Sequence, residues 1–95
     1  MNTIYHPDKS PQKYESKNGK SFTIAELKEI VEGTCEILYL PLESAYIIFN
    51  KEFCEKKING YNIKATDKIK ENYDNSPTKI FGKAIITNNI WVELI

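Results

Sequence analysis

The chain contains no arginine: all thirteen basic residues are lysine, and thirteen acidic residues balance them. Arginine supplies the planar fork that best grips phosphates, carboxylates and guanine edges, so its absence argues against a sequence-specific DNA reader. An abundance of Lys, Asn and Ile is also what an AT-rich coding sequence produces. Cysteine is scarce as well. Cys35 and Cys54 lack CxxC spacing, and with His6 as the one histidine no zinc ligand set can be assembled from Cys and His. No structural metal and no cofactor are expected. The four glycines stand at 19, 33, 60 and 82, too scattered for a phosphate-cradling loop. No apolar run approaches the length of a membrane span, and the opening MNTIYHPDKS has no apolar segment, so the expected location is cytoplasmic.

Catalytic constellations are missing too. A nucleophile needs an adjacent base, and the lone His6, followed by Pro7 in a segment read as mobile, forms no persuasive Ser-His or Cys-His pair. The carboxylate pairs Glu26/Glu29 and Glu52/Glu55 read as solvated charge, the first on the outer face of a helix and the second on a charged connection. No enzyme is indicated.

What is present is a fold signal. Ninety-five residues of ordinary hydrophobic content make one domain with one modest core. Residues 1–21 are polar, with Pro7, Pro11 and a Lys-Asn-Gly-Lys turn, and read as an arm; Ile4 and Tyr5 can begin an edge strand, and Gln12 to Ser16 can supply a second strand piece. Residues 22–95 read as the folded domain. Ile24, Leu27, Ile30 and Val31 recur at helical spacing, Thr23 with Glu26 makes a capping box, and Gly33 stands where a left-handed C-terminal residue is wanted. CEILYL and AYIIFN follow as β-branched and aromatic runs joined by Pro41, Leu42, Glu43 and Ser44, which predicts an antiparallel hairpin with a four-residue connection. Residues 51–60 are charged, end in Asn59-Gly60 and read as a connection. Asn62 can cap a second helix with Ile63, Thr66, Ile69 and Tyr73 on its apolar side. Residues 79–87 and 90–95 then read as two strands around Asn88-Asn89, a pair suited to a two-residue hairpin. The expected fold class is α+β: a small, mainly antiparallel sheet of four to five strands with two short helices packed on one face.

The four-residue connection sets Leu40 opposite Ala45, Tyr39 opposite Tyr46, Leu38 opposite Ile47, Ile37 opposite Ile48 and Cys35 opposite Asn50. Cys35 therefore does not face Cys54, and two free, largely buried thiols are expected. One sheet face carries Glu36, Leu38, Leu40, Ala45, Ile47 and Phe49, and the other Cys35, Ile37, Tyr39, Tyr46 and Ile48. Both are mostly apolar. Helices on one side leave the other to the N-terminal arm, a partner, a second copy of the chain or solvent. The Tyr39 and Tyr46 face is the candidate interaction surface, set against the plainer reading of cross-strand packing with hydroxyls at the rim.

The segments AELKEIVEGTCEILYLP, a strand ending in Asn50 with Glu52 just beyond, NGYNIKATDKI and IFGKAIIT occur in that order, and over residues 22–87 the chain resembles the domain of unknown function 3846 family of bacteria, phages and mobile elements. Val31, Gly33, Glu36, Asn50, Glu52, Asn62, Ala65, Thr66, Ile80 and Gly82 stand at matching positions; Glu32 replaces a glycine of the family pattern, and Phe53 with Cys54 alters its Glu-Gly turn. The resemblance implies an accessory protein of a bacterial, phage or mobile-element system. Such small products act by binding a host protein, a nucleic acid or a signalling nucleotide, and the family carries no activity to transfer.

Three functions follow as expectations. The first is a small non-catalytic binding module that presents Tyr39 and Tyr46 to a protein partner or to itself as a homodimer. A second is an enzyme or small-molecule binder whose polar pocket gathers Asn50, Glu52, Asn62 and Thr66. The third is weak nucleic-acid binding through Lys51, Lys56, Lys57, Lys64, Lys68 and Lys70, interleaved with Phe53 and Tyr61, although such runs usually only solubilise.

Overall fold

The computed structural model describes residues 2–17, 19 and 21–88. Thr23 caps helix α1 (Ile24–Val31), its side-chain oxygen accepting from the Glu26 N–H at 3.2 Å. Leu27, Ile30 and Val31 are buried as the spacing predicts. Glu26 is buried too, and its carboxylate accepts from the Lys17 N–H at 3.0 Å, so it does not belong to the solvent face. The left-handed residue that ends α1 is Glu32, at φ 67°, one position earlier than expected. Gly33 serves a different need: a Cβ there would lie 2.8 Å from Asn50 Nδ2.

Strands β1 (Thr3–Tyr5), β2 (Gln12–Lys13), β3 (Cys35–Leu40), β4 (Ala45–Asn50) and β5 (Ala84–Thr87) form one antiparallel sheet in the order β2-β1-β5-β4-β3. The β3–β4 hairpin has the expected register, from Cys35 opposite Asn50 to Leu40 opposite Ala45. Its connection is closed by the Glu43 N–H donating to Leu40 O at 3.1 Å. β1 is not an edge: it lies between β2 and β5, and β2 supplies the edge. The N-terminal residues are thus part of the sheet, with Ile4 buried.

The architecture is α+β, but the two longer helices cover opposite faces of the sheet. α1 packs with Ile4, Ile48 and Ile85, whereas α3 (Ile63–Asn72) sets Ala65 and Ile69 against Leu40, Ala45, Ile47, Phe49, Ala84 and Ile86. The cause lies in the central strands. In β4 and β5 successive buried residues alternate between the faces, so each face has apolar area that needs its own cover. Burying one Ile side chain on either face stabilises by about 1.5–3 kcal/mol.

Residues 51–60 hold a helix rather than a plain connection. Asn50 caps α2 (Lys51–Lys56) by accepting from the Phe53 N–H at 2.9 Å, and Glu52 pairs with Lys56 one turn on at 3.2 Å. No α2 residue is fully buried, so hydrophobic periodicity could not reveal it. In α3 the packed positions are Ala65, Thr66 and Ile69; Ile63, expected on that side, is 58% exposed. The strand expected over residues 79–87 is confined to β5, with Phe81 making an isolated bridge to Tyr61. The hairpin expected around Asn88-Asn89 and the strand over residues 90–95 lie outside the described residues.

Asn62 fastens these parts together. Its Oδ1 accepts from the Ala65 N–H at 3.2 Å, and its Nδ2 donates to Tyr5 O at 2.8 Å and Gly82 O at 2.9 Å. Asn62→Asp preserves the capping oxygen but removes both donors and sets a carboxylate against two carbonyls. We expect it to cost as much as Asn62→Ala, about 2–4 kcal/mol in denaturant titration; an Asp variant near wild-type stability would show that capping alone matters.

Candidate interaction surface

Sheet order makes β3 an edge, and its hydrogen-bond phase tells which backbone groups it presents. The Lys51 N–H donates to Thr34 O at 3.1 Å, in line with the hairpin register, so residues 34, 36, 38 and 40 point their backbone groups at β4. Those of Cys35, Ile37 and Tyr39 point outward. The Tyr73 hydroxyl agrees with that phase, donating to Tyr39 O at 2.6 Å.

The side chains of these three residues lie on the α1 face. Cys35 packs at the margin of the α1 core, but the helix does not reach the hairpin end of the sheet. There Ile37, Tyr39 and Tyr46 are 39%, 44% and 38% exposed. The two tyrosine rings sit 5.1 Å apart, tilted by 57°. Among the described residues, an aliphatic and aromatic patch of uncharged hairpin side chains therefore adjoins the outer edge of the sheet. Tyrosine suits such a surface, because its ring excludes water over a large area while its hydroxyl tolerates the rim.

The other four residues singled out from the sequence are not gathered into a pocket. Asn50, Asn62 and Thr66 are sealed from solvent, and their polar atoms serve the backbone. Asn50 Nδ2 donates to Val31 O at 3.0 Å while Oδ1 caps α2, and Thr66 Oγ1 accepts from the Ile80 N–H at 2.9 Å. Glu52 is on the surface with Lys56, and the one bond among the four is of the main chain, the Thr66 N–H donating to Asn62 O at 3.0 Å within the first turn of α3; no side chain of the four bonds to another. Among the lysines, Lys56 pairs with Glu52 and Lys68 with Glu43, so two of the six are engaged by carboxylates.

Sequence reasoning missed one feature, a cleft of about 390 Å³ lined by His6, Asp8, Lys9, Glu32, Asn59 and Lys83. His6 is buried there and its Nε2 lies 3.0 Å from Gln12 Oε1, so the segment read as mobile is anchored. Its burial follows from β1 being interior, which the polar N-terminal composition gave no means to foresee. Two carboxylates and two lysines balance across the cleft, with Lys83 3.5 Å from Glu32, and no nucleophile is bonded to the imidazole. No group of three metal-ligating side chains occurs among the described residues, and none of their helices is long and apolar enough to cross a membrane. The chain matches no family model, no curated protein and no solved structure.

Both cysteines are free and half-buried. Burial pushes the Cys35 thiol up despite the opposing pull of Lys28; burial does the same at Cys54, where the Phe81 N–H opposes it and Glu36 and Glu55 add to it. The folded chain therefore holds these protons to higher pH than the unfolded chain. Stability should fall as pH rises past about 8.5, the ordinary thiol value, because the unfolded thiols ionise first. Iodoacetamide should label the native thiols more slowly than the denatured ones at pH 8, and equal rates would contradict the burial. For Glu52→Gln we expect a change within about 0.5 kcal/mol, since the ion pair is exposed.

Proposed function

We propose that this chain is a non-catalytic interaction module that docks a protein partner on the outer edge of β3 and on the Ile37, Tyr39 and Tyr46 face. The observation that carries the reading is the exposed tyrosine pair beside Ile37 on an edge strand, with no charged residue among the described hairpin positions of that face. Tyrosines in such settings are frequent anchors of binding energy. An enzymatic pocket of Asn50, Glu52, Asn62 and Thr66 loses its support, because three of those side chains are committed to backbone carbonyls and N–H groups. Nucleic-acid binding has little more, with no arginine and with part of the lysine patch paired. The resemblance noted from the sequence would make the module part of a bacterial, phage or mobile-element system, with the cytoplasm as the location expected from the sequence alone.

The test compares the tagged wild-type chain with the Tyr39→Ala/Tyr46→Ala variant, each recovered from a bacterial lysate under identical conditions and each also measured for self-association. A specific protein, or a second copy of the chain, should accompany the wild type and be lost from the variant, with loss of affinity of about thirtyfold or more for two anchor residues. Equal recovery of the same partners by both chains would overturn the reading.

A further inference from the structure

We propose that the partner is a second copy of this chain, paired β3 to β3 across a two-fold axis perpendicular to the sheet, so that two five-stranded sheets join into one. This rests on the docking surface proposed above and names its occupant. Three half-exposed side chains cannot by themselves approach the roughly 800 Å² per partner of a standard interface, so an occupant must add main-chain hydrogen bonds. Among the described residues one edge can supply them. β2 is two residues long and directly follows Pro11, whereas β3 is six residues long and turns the backbone groups of Cys35, Ile37 and Tyr39 outward.

A two-fold axis of this kind keeps each face continuous, which restricts the register to a few choices. A register that sets an odd-numbered residue opposite an even-numbered one turns outward backbone groups against inward ones and forms no ladder; with Glu36 opposite the partner's Glu36, like charges meet. Centring the axis on Leu38 sets Cys35 opposite the partner's Pro41, which has no N–H to give. Centring it on Ile37 avoids both faults. Ile37 then faces the partner's Ile37, Cys35 faces the partner's Tyr39, and Glu36 meets the partner's Leu38. Every outward N–H and C=O of Cys35, Ile37 and Tyr39 finds a mate. Tyr39 O already accepts from the Tyr73 hydroxyl, and its second lone pair remains for the ladder. On the α1 face the Ile37 and Tyr39 side chains of the two copies become neighbours, so the two patches merge. The chain's formal net charge of +0 adds no long-range repulsion between copies.

Sedimentation of the full chain at micromolar concentrations should give twice 11.0 kDa. Ile37→Lys should weaken self-association at least tenfold with an unchanged far-ultraviolet spectrum, and Ile37→Pro should do the same, because the Ile37 N–H makes no bond to β4. In a Cys35→Ser/Cys54→Ser background, Ile37→Cys should oxidise to a covalent dimer, since directly opposed residues of a hydrogen-bonded antiparallel pair have Cα atoms about 5.5 Å apart, within disulfide reach. A chain that stays monomeric, or a dimer indifferent to Ile37→Lys and not cross-linked at position 37, overturns the proposal. A monomer that captures a different protein through Tyr39 and Tyr46 overturns self-pairing and leaves the docking face standing. A monomer that captures nothing sinks both.

Discussion

Asn62 has no solvent contact, and its side chain holds three separate stretches of backbone together: the first turn of α3, the end of β1 and the turn at Gly82. The main chain adds to this, with the Asn62 N–H donating to Ile80 O at 2.7 Å and the Gly82 N–H donating to Gly60 O at 2.9 Å. Thr66, one turn along α3, takes the Ile80 N–H. A ten-residue helix would be marginal alone in water, so α3 depends on these attachments and on the burial of Ala65 and Ile69. Asn50 repeats the device between β4 and α1, capping α2 with its oxygen and holding Val31 O with its nitrogen. Gly33 is the counterpart of that bond, because only a residue without Cβ leaves room for the Asn50 amide.

These two amides explain why a small chain can cover both faces of its sheet without metal ligation among the described residues. Each joins a helix end to a strand end, and each buries its polar atoms fully satisfied. A satisfied buried amide rigidifies, while one left with a missing partner would cost about 1–3 kcal/mol per group. Among the described residues no buried side-chain nitrogen or oxygen lacks a partner.

The hairpin was legible in the sequence to the residue, because two alternating strands and a connection of fixed length leave one register that keeps both faces apolar. The caps at Thr23 and Asn62 were legible for the same local reason. What failed was non-local. Nothing near Asn50 indicates that its nitrogen reaches a carbonyl nineteen residues earlier, so a buried staple and a binding residue look alike in the sequence. The placement of the helices on one face failed similarly: the two-sided burial of β5 depends on which strands flank it, and β1 reaches it from the far end of the chain. The left-handed Glu32 was missed because local propensity favours Gly33 there, and the close approach of Asn50 assigns that glycine elsewhere. The exposed tyrosine pair, by contrast, could be placed on one face from register alone; its exposure required knowing how far α1 extends.

The free edge of β3 shows how interaction and restraint coexist. Unpaired strand edges template association, and proteins usually blunt them with charge, proline or a covering group. Here the edge carries one charge, Glu36, and it projects to the α3 face, away from the tyrosines. At its hairpin end Pro41 stops any ladder, and the Tyr73 hydroxyl takes one of the two lone pairs of Tyr39 O. What stays open is a short window around Ile37. A window that short limits how many chains can add and fixes where they start, so it favours one defined contact over indefinite stacking. Tyr73 sits just past the end of α3, and α3 is held by Asn62, so the same staple that closes the fold also sets the outer limit of the edge.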